Sequence, residues 1–172
     1  MENEMLQEAV LAVGMQLTCL AVGIYFEARG EKTAGMAAVA NVVINRVHDP
    51  RWPDTPCEVL SEGPTLKWDV NAPLRNKCQF SFYCDGKSDE PTDEHAYHVA
   101  ELIAKAVLEQ RAHDVSEGAT HYHATYVTPS WAETKEQTVR INNHIFYRWR
   151  NTADTLRKIE RRKNGYYTEY WD

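Results

Sequence analysis

The chain has 172 residues, 43% of them hydrophobic and 26% charged, with a formal net charge of -6. That length and mix describe one globular domain able to bury a substantial core, and they exclude disordered and collagen-like classes. The acidic balance also argues against a nucleic-acid partner, which needs a basic surface.

From Ala9 to Phe26 no residue is charged, a span almost long enough to cross a bilayer. Gly14, Gln16, Thr18 and Gly23 interrupt it, however, and the leader carries Glu2, Glu4 and Glu8 where a secretory signal would be basic. The reading is a buried helix over about 4–29, single or broken near Gly14 or Thr18, with no export signal and no stable membrane insertion. A second helix is predicted from Thr33, placed as its N-cap, to Val47, until Asp49-Pro50 and Trp52-Pro53 end the regularity. Residues 49–92 form a long connection holding six of the seven prolines; its aromatic content argues for order. Within it, Trp68 to Asn76 reads as an insertion tip, and Lys77 to Gly86 alternates like a short strand ending in an Asp-Gly turn.

Thr92 or Asp93 caps a helix over about 94–109, with Ala96, Val99, Ala100, Ile103, Ala104, Val107 and Leu108 as its apolar stripe. Gly118 to Trp131 is extended and aromatic-rich, and alternation puts His121 and His123 on one side and Tyr122 on the other. Asn142 to Trp149 reads as its hairpin partner. A basic helix follows from Asn151, its run Arg157 to Lys163 a solvated face, and ends in the aromatic stretch Tyr166 to Trp171. Of the four cysteines, Cys19 reads as a core thiol, and one disulfide is open among Cys57, Cys78 and Cys84. No pair has the close spacing of structural zinc sites.

Chemistry concentrates in Tyr25-Phe26-Glu27-Ala28-Arg29-Gly30-Glu31, where an apolar run ends in a carboxylate. At a helix C-terminus in apolar surroundings, the dipole and desolvation both disfavour the anion, so Glu27 is expected to have a raised pKa. A carboxyl group that keeps its proton near neutrality suits a general acid that later acts as a base. If the helix continues, Glu31 lies on nearly the same face.

Three blocks carry a resemblance: Tyr25 to Glu31 followed by Val39 to Val47, then Gln79-Phe80-Ser81 with Cys84-Asp85-Gly86, then Gly118 to Tyr122 with His144 to Tyr147. In order and spacing they resemble the SleB/CwlJ-type cell wall hydrolases, which include spore-cortex-lytic enzymes and phage lysins. The resemblance covers about 18–149 of a single catalytic domain, with 150–172 a basic aromatic extension. It implies a lysozyme-like α+β fold, mainly helical with a small β-hairpin lining a cleft. It also implies cleavage of peptidoglycan between N-acetylmuramic acid and N-acetylglucosamine as a lytic transglycosylase, with Glu27 the matching catalytic residue. On that matching, Asn45, Gln79, Phe80, Ser81, His121, Tyr122 and Trp131 are the candidate substrate contacts. Arg29, Glu31, Arg46, Asp85 and His144 are candidate supports, Asp85 being also the fallback second carboxylate.

Two other readings stand beside this one. His121, His123 and His144 with a carboxylate would suit a zinc-dependent peptidoglycan amidase, and loss of turnover would leave a glycan-binding module. The leading reading needs no cofactor and a monomer. It expects a protein that is cytoplasmic until released to the wall, through a holin pore if it is a phage lysin.

Overall fold

The structure, a computed structural model, describes residues 2–171, and side-chain surroundings for 4–166. Glu2 of the leader and Tyr167, Tyr170 and Trp171 of the tail fall outside the residues whose side chains are described. Helix α1 (Glu2–Ala28) runs unbroken, because the Thr18 hydroxyl donates to the Gly14 carbonyl at 3.0 Å and satisfies itself within the helix. Only its second half is buried as expected. Leu20, Ala21, Ile24 and Tyr25 are at most 1% exposed, whereas Met5, Leu6, Val10 and Leu11 are 61–72% exposed. By length and composition, Glu4–Ala28 passes as a membrane-spanning helix among the described residues, yet its C-terminal half is committed to the core.

Helix α2 (Thr33–His48) is central and buried along nearly its whole length. Its N-cap is Lys32, without a side-chain bond, so Thr33 opens the helix rather than capping it. It packs against α1, against the short helix α3 (Pro56–Ser61), and against α4 (Glu94–Leu108). Asp93, whose side chain accepts from the Ala96 N–H at 2.9 Å, caps α4, and the buried residues Ala100, Ile103, Ala104, Val107 and Leu108 confirm its stripe. Helix α3 went unread in the proline-rich connection, although Thr55 caps it and Pro56 starts it. Leu60 of α3 seats on α1 at Gly23, where an added Cβ would lie 2.6 Å from the leucine side chain.

A disulfide from Cys19 to Cys57 ties α1 to α3, so Cys19 is no free core thiol; a second joins Cys78 to Cys84. Cys19 looked like core because an apolar run masks its pairing with a residue 38 positions away. The expected tip over 68–76 is part of a small hairpin of β1 (Thr65–Leu66) and β2 (Asp69–Pro73). The strand expected over 77–86 is instead a 3-10 turn, Ser81–Cys84. A disulfide spanning six positions forces the chain back on itself, which an extended strand does not permit.

The second sheet has the order β3-β5-β4, with β3 (His121–Ala124), β4 (Glu136–Ile141) and β5 (His144–Arg148) all antiparallel. The pairing of β3 with β5 holds in register, His121 opposite Tyr147 and Ala124 opposite His144. The nearer hairpin partner of β5, β4, was missed: a register irregularity between Gln137 and Arg140 breaks its alternation, and its side chains are largely polar. Helix α5 (Ala153–Trp171) closes the chain, and its basic run is not merely solvated. Arg162 Nη1 donates to the carbonyls of Asp49 (2.9 Å) and Trp52 (3.0 Å), holding the loop after α2.

The sheet is attached through polar side chains of α2. Asn41 Oδ1 accepts from Val115 N–H at 3.2 Å, and Arg46 Nε donates to Thr120 O at 2.8 Å. Asn45 Nδ2 meets Asp114 Oδ2 (2.9 Å), Ser116 Oγ (3.2 Å) and Ala119 O (2.9 Å). Asn45→Ala strands these partly buried acceptors, so it is expected to cost about 2 kcal/mol and to lower the melting temperature by roughly 4–8 °C. Calorimetry of the variant checks this, and an unchanged transition would show that the 114–120 segment is held by other contacts.

Candidate active site

Glu27 is the penultimate residue of α1, which ends because the chain turns at Arg29-Gly30; the Glu31 N–H caps the turn on Ala28 O at 2.9 Å. The carboxyl faces a cleft of about 250 Å³. Five elements converge there: α1 supplies Glu27, α2 supplies Arg46, and the disulfide-closed loop supplies Gln79, Phe80 and Ser81. The free edge of β3 brings His121 and Tyr122, and the loop before β4 brings Trp131. Glu27 is the one carboxylate among these lining residues.

The Tyr122 hydroxyl donates to Glu27 Oε2 at 2.6 Å. Burial is the largest influence on Glu27 and holds its carboxyl above the usual carboxylate range, while the Tyr122 hydrogen bond and the Arg46 charge pull the other way. Burial and the adjoining Glu27 carboxylate in turn push the Tyr122 phenol well above its ordinary value, so it remains a donor. Arg46 is 6% exposed and lies 5.2 Å from the Phe80 ring centroid and 5.5 Å from that of Trp52. Its Nη1 is buried without a hydrogen-bond partner, and so is Oε2 of Glu62, whose pKa burial raises and the Arg46 charge lowers.

His121 lies among Trp52, Trp131 and Trp149, with ring centroids 5.7, 5.4 and 5.4 Å away. Burial first, then the charges of Arg46, Lys135 and Arg51, bring its pKa down to about 3, and the ring stays neutral. Trp52 and Trp149 were not read as part of this region, because they lie almost a hundred positions apart and share no local pattern.

Several nominated residues lie elsewhere. Asn45 borders hollows with His48 and Asp114 that share no lining residue with the Glu27 cleft, and its amide is committed to the 114–119 segment. Arg29 Nη1 donates to the Tyr25 hydroxyl at 2.6 Å, so it braces α1 against the start of α4 and not a cleft carboxylate. Asp85 accepts from the Lys87 N–H at 2.8 Å in its own turn and does not line the cleft. Since α1 stops at Ala28, Glu31 does not share the face of Glu27. It meets Asn143 and, at 3.7 Å, His144, whose ring lies 5.2 Å from that of Tyr122.

The three histidines do not form a metal site. Cross-strand partners share a face, so His144, opposite Ala124, lies with Tyr122 and away from His121 and His123. His121 Nδ1 pairs with the Thr120 hydroxyl, and His123 Nε2 with the Tyr147 hydroxyl. Among the described residues no three His, Cys, Asp or Glu side chains are grouped to hold a metal ion.

The chain matches the family described as Cell Wall Hydrolase over residues 30–147, a segment that begins three positions after Glu27. It is 34% identical over 129 residues to the spore cortex-lytic enzyme of Halalkalibacterium halodurans, covering 74% of this chain and 33% of that protein. To the Bacillus subtilis enzyme of the same description it is 31% identical over 128 residues, covering 74% of this chain and 35% of that one. The chain thus spans about a third of the length of these curated relatives. The catalytic domain of the germination-specific lytic transglycosylase SleB from Bacillus anthracis superposes with a TM-score of 0.57 at 28% identity, covering 77% of this chain and 93% of that domain. The Bacillus cereus SleB catalytic domain gives 0.54 at 25%, covering 77% and 89%. The fold is therefore the lysozyme-like α+β fold expected, mostly helical with small antiparallel sheets.

A hydrogen bond to a carboxylate favours the anion, so removing it leaves burial less opposed. Tyr122→Phe is accordingly expected to raise the Glu27 pKa further, read by carbon-13 titration of labelled glutamate carboxyls; a fall in pKa would show that the hydroxyl does not stabilise the anion.

Proposed function

This chain belongs to the cell wall hydrolase family, and we propose that it cleaves peptidoglycan glycan strands between N-acetylmuramic acid and N-acetylglucosamine as a lytic transglycosylase. The observation that carries the choice of chemistry is that Glu27 is the one carboxylate among the described residues lining the cleft. Hydrolysis by water uses a pair of carboxylates flanking the scissile bond, whereas an internal nucleophile needs one group that gives and then takes a proton.

In this mechanism, Glu27 enters protonated and transfers its proton to the glycosidic oxygen as the bond to C1 of the muramoyl residue breaks. The resulting carboxylate, held by the Tyr122 hydroxyl at 2.6 Å and offset by the Arg46 charge, then takes the proton of the same residue's C6 hydroxyl. That oxygen closes on C1. The product is a 1,6-anhydro-muramoyl end, no water is consumed, and Glu27 regains its proton. Gln79 and Ser81 offer hydrogen bonds to N-acetyl and hydroxyl groups, and Trp131 and Tyr122 offer ring faces to the sugars.

The reading takes the monomer as the acting unit, with no cofactor and no membrane insertion. Two paired disulfides favour action outside the reducing cytoplasm, after release to the wall.

Glu27→Gln keeps nearly the same shape but gives up no proton, so the rate of glycan release should fall roughly 10²–10⁴-fold or more. Asp85→Asn should keep most of the wild-type rate. Mass spectrometry of digested peptidoglycan should show anhydro-muramoyl ends that disappear with Glu27→Gln. Reducing muramoyl ends would overturn the transglycosylase step, and intact glycan with freed stem peptides would overturn the glycosidase assignment.

A further inference from the structure

Residues 79–81, which form one wall of the cleft, lie inside the short ring closed by Cys78 and Cys84. The ring rests on two buried aromatic anchors. Phe80 is 2% exposed under the Arg46 guanidinium, and Phe82 is stacked on Phe26, the residue before Glu27, at 5.1 Å between centroids. Gln79 and Ser81, the polar members of the wall, are exposed on either side of Phe80. Two backbone bonds from outside complete the attachment, Gln79 N–H to Glu62 O and Asn76 N–H to Cys84 O, both 2.9 Å. Cys78 also packs on Gly63 so closely that an added Cβ there would lie 3.0 Å from the Cys78 Cα. The other disulfide, Cys19–Cys57, has neither member in the cleft.

We propose that the Cys78–Cys84 disulfide is a positioning element of the cleft, and that its reduction reversibly disables the site while the helical core stays folded. The proposal rests on the glycan-cleaving reading above for its consequence, but not for its geometry. A dithiol reductant attacks the sulfur of Cys78, the more exposed residue of the pair, and displaces the Cys84 thiolate. Its second thiol then resolves the mixed disulfide, leaving two protein thiols and an oxidised reductant. Without the closure, the two phenylalanines still tether the wall, but the backbone carrying Gln79 before Phe80 and Ser81 after it is free to rearrange. The chain would then be latent in a reducing compartment and competent in an oxidising one, which keeps the activity from the wall until the chain reaches it.

The test compares the oxidised full chain, the chain treated with dithiothreitol, Cys78→Ser with Cys84→Ser, and Cys19→Ser with Cys57→Ser. The readouts are release of soluble glycan from peptidoglycan and amide hydrogen exchange. Reduction is expected to lower the wild-type rate roughly ten-fold to a hundred-fold, with recovery on reoxidation. The 78/84 pair variant should start low and no longer respond to dithiothreitol, and the 19/57 pair variant should still respond. Amides of residues 76–84 should exchange about ten-fold faster or more on reduction, while those of α2 and α4 hold. Unchanged exchange over 76–84, a fully active 78/84 variant, or loss of protection in α2 and α4 as well would each overturn the proposal. An oxidised wild type that releases no glycan would overturn the proposed function instead, and hydrogen exchange would still judge the clamp.

Discussion

The structure depends on how a helix buried along nearly its whole length disposes of its polar side chains. Helix α2 carries Asn41, Asn45 and Arg46 among its buried and half-buried positions, and none can remain there unpaired without a cost of a few kcal/mol. All three reach the segment 114–120, through Val115 N–H, the group of Asp114, Ser116 and Ala119, and Thr120 O. That segment is the lead-in to β3. Satisfying the helix therefore fixes the edge strand that sets Tyr122 against Glu27, and core packing and site geometry are one constraint.

The environment of Glu27 is a balance and not a single effect. Burial favours the protonated form, while the Tyr122 donor and the Arg46 charge favour the anion. A group that gives and then reclaims a proton needs both states within reach, and opposing influences supply that better than either extreme. Arg46 also has competing duties, since it feels Glu62 as well as Glu27 and is held between Trp52 and Phe80. Its location inside α2 gives the charge little freedom to move toward either carboxylate.

The connection between α2 and α4 is long for a compact domain and is ordered by means other than regular structure. Its stays are two disulfides, the capped helix α3, the Arg162 hydrogen bonds from α5, and the buried rings of Phe80 and Phe82. Cross-links compensate where a proline-rich segment cannot build a ladder of backbone hydrogen bonds. This segment also supplies the cleft wall.

The sequence by itself determined the long helices, because the 3.6-residue spacing of Leu20, Ile24, Val39, Val43, Ile103 and Val107 records burial along one element. It marked Glu27 as the residue to watch, since an uncharged run ending in a carboxylate needs no long-range information. The β3–β5 pairing was legible as well, from two short aromatic stretches. Only the tertiary structure decided the partners of the cysteines, the turn over 81–84 and the place of β4, because each depends on a contact or a register that local alternation does not carry. It also decided which polar residues serve the site. Asn45 and Arg46 are neighbours in sequence, yet one helix step of about 100° turns the first toward Asp114 and the second into the Glu27 cleft.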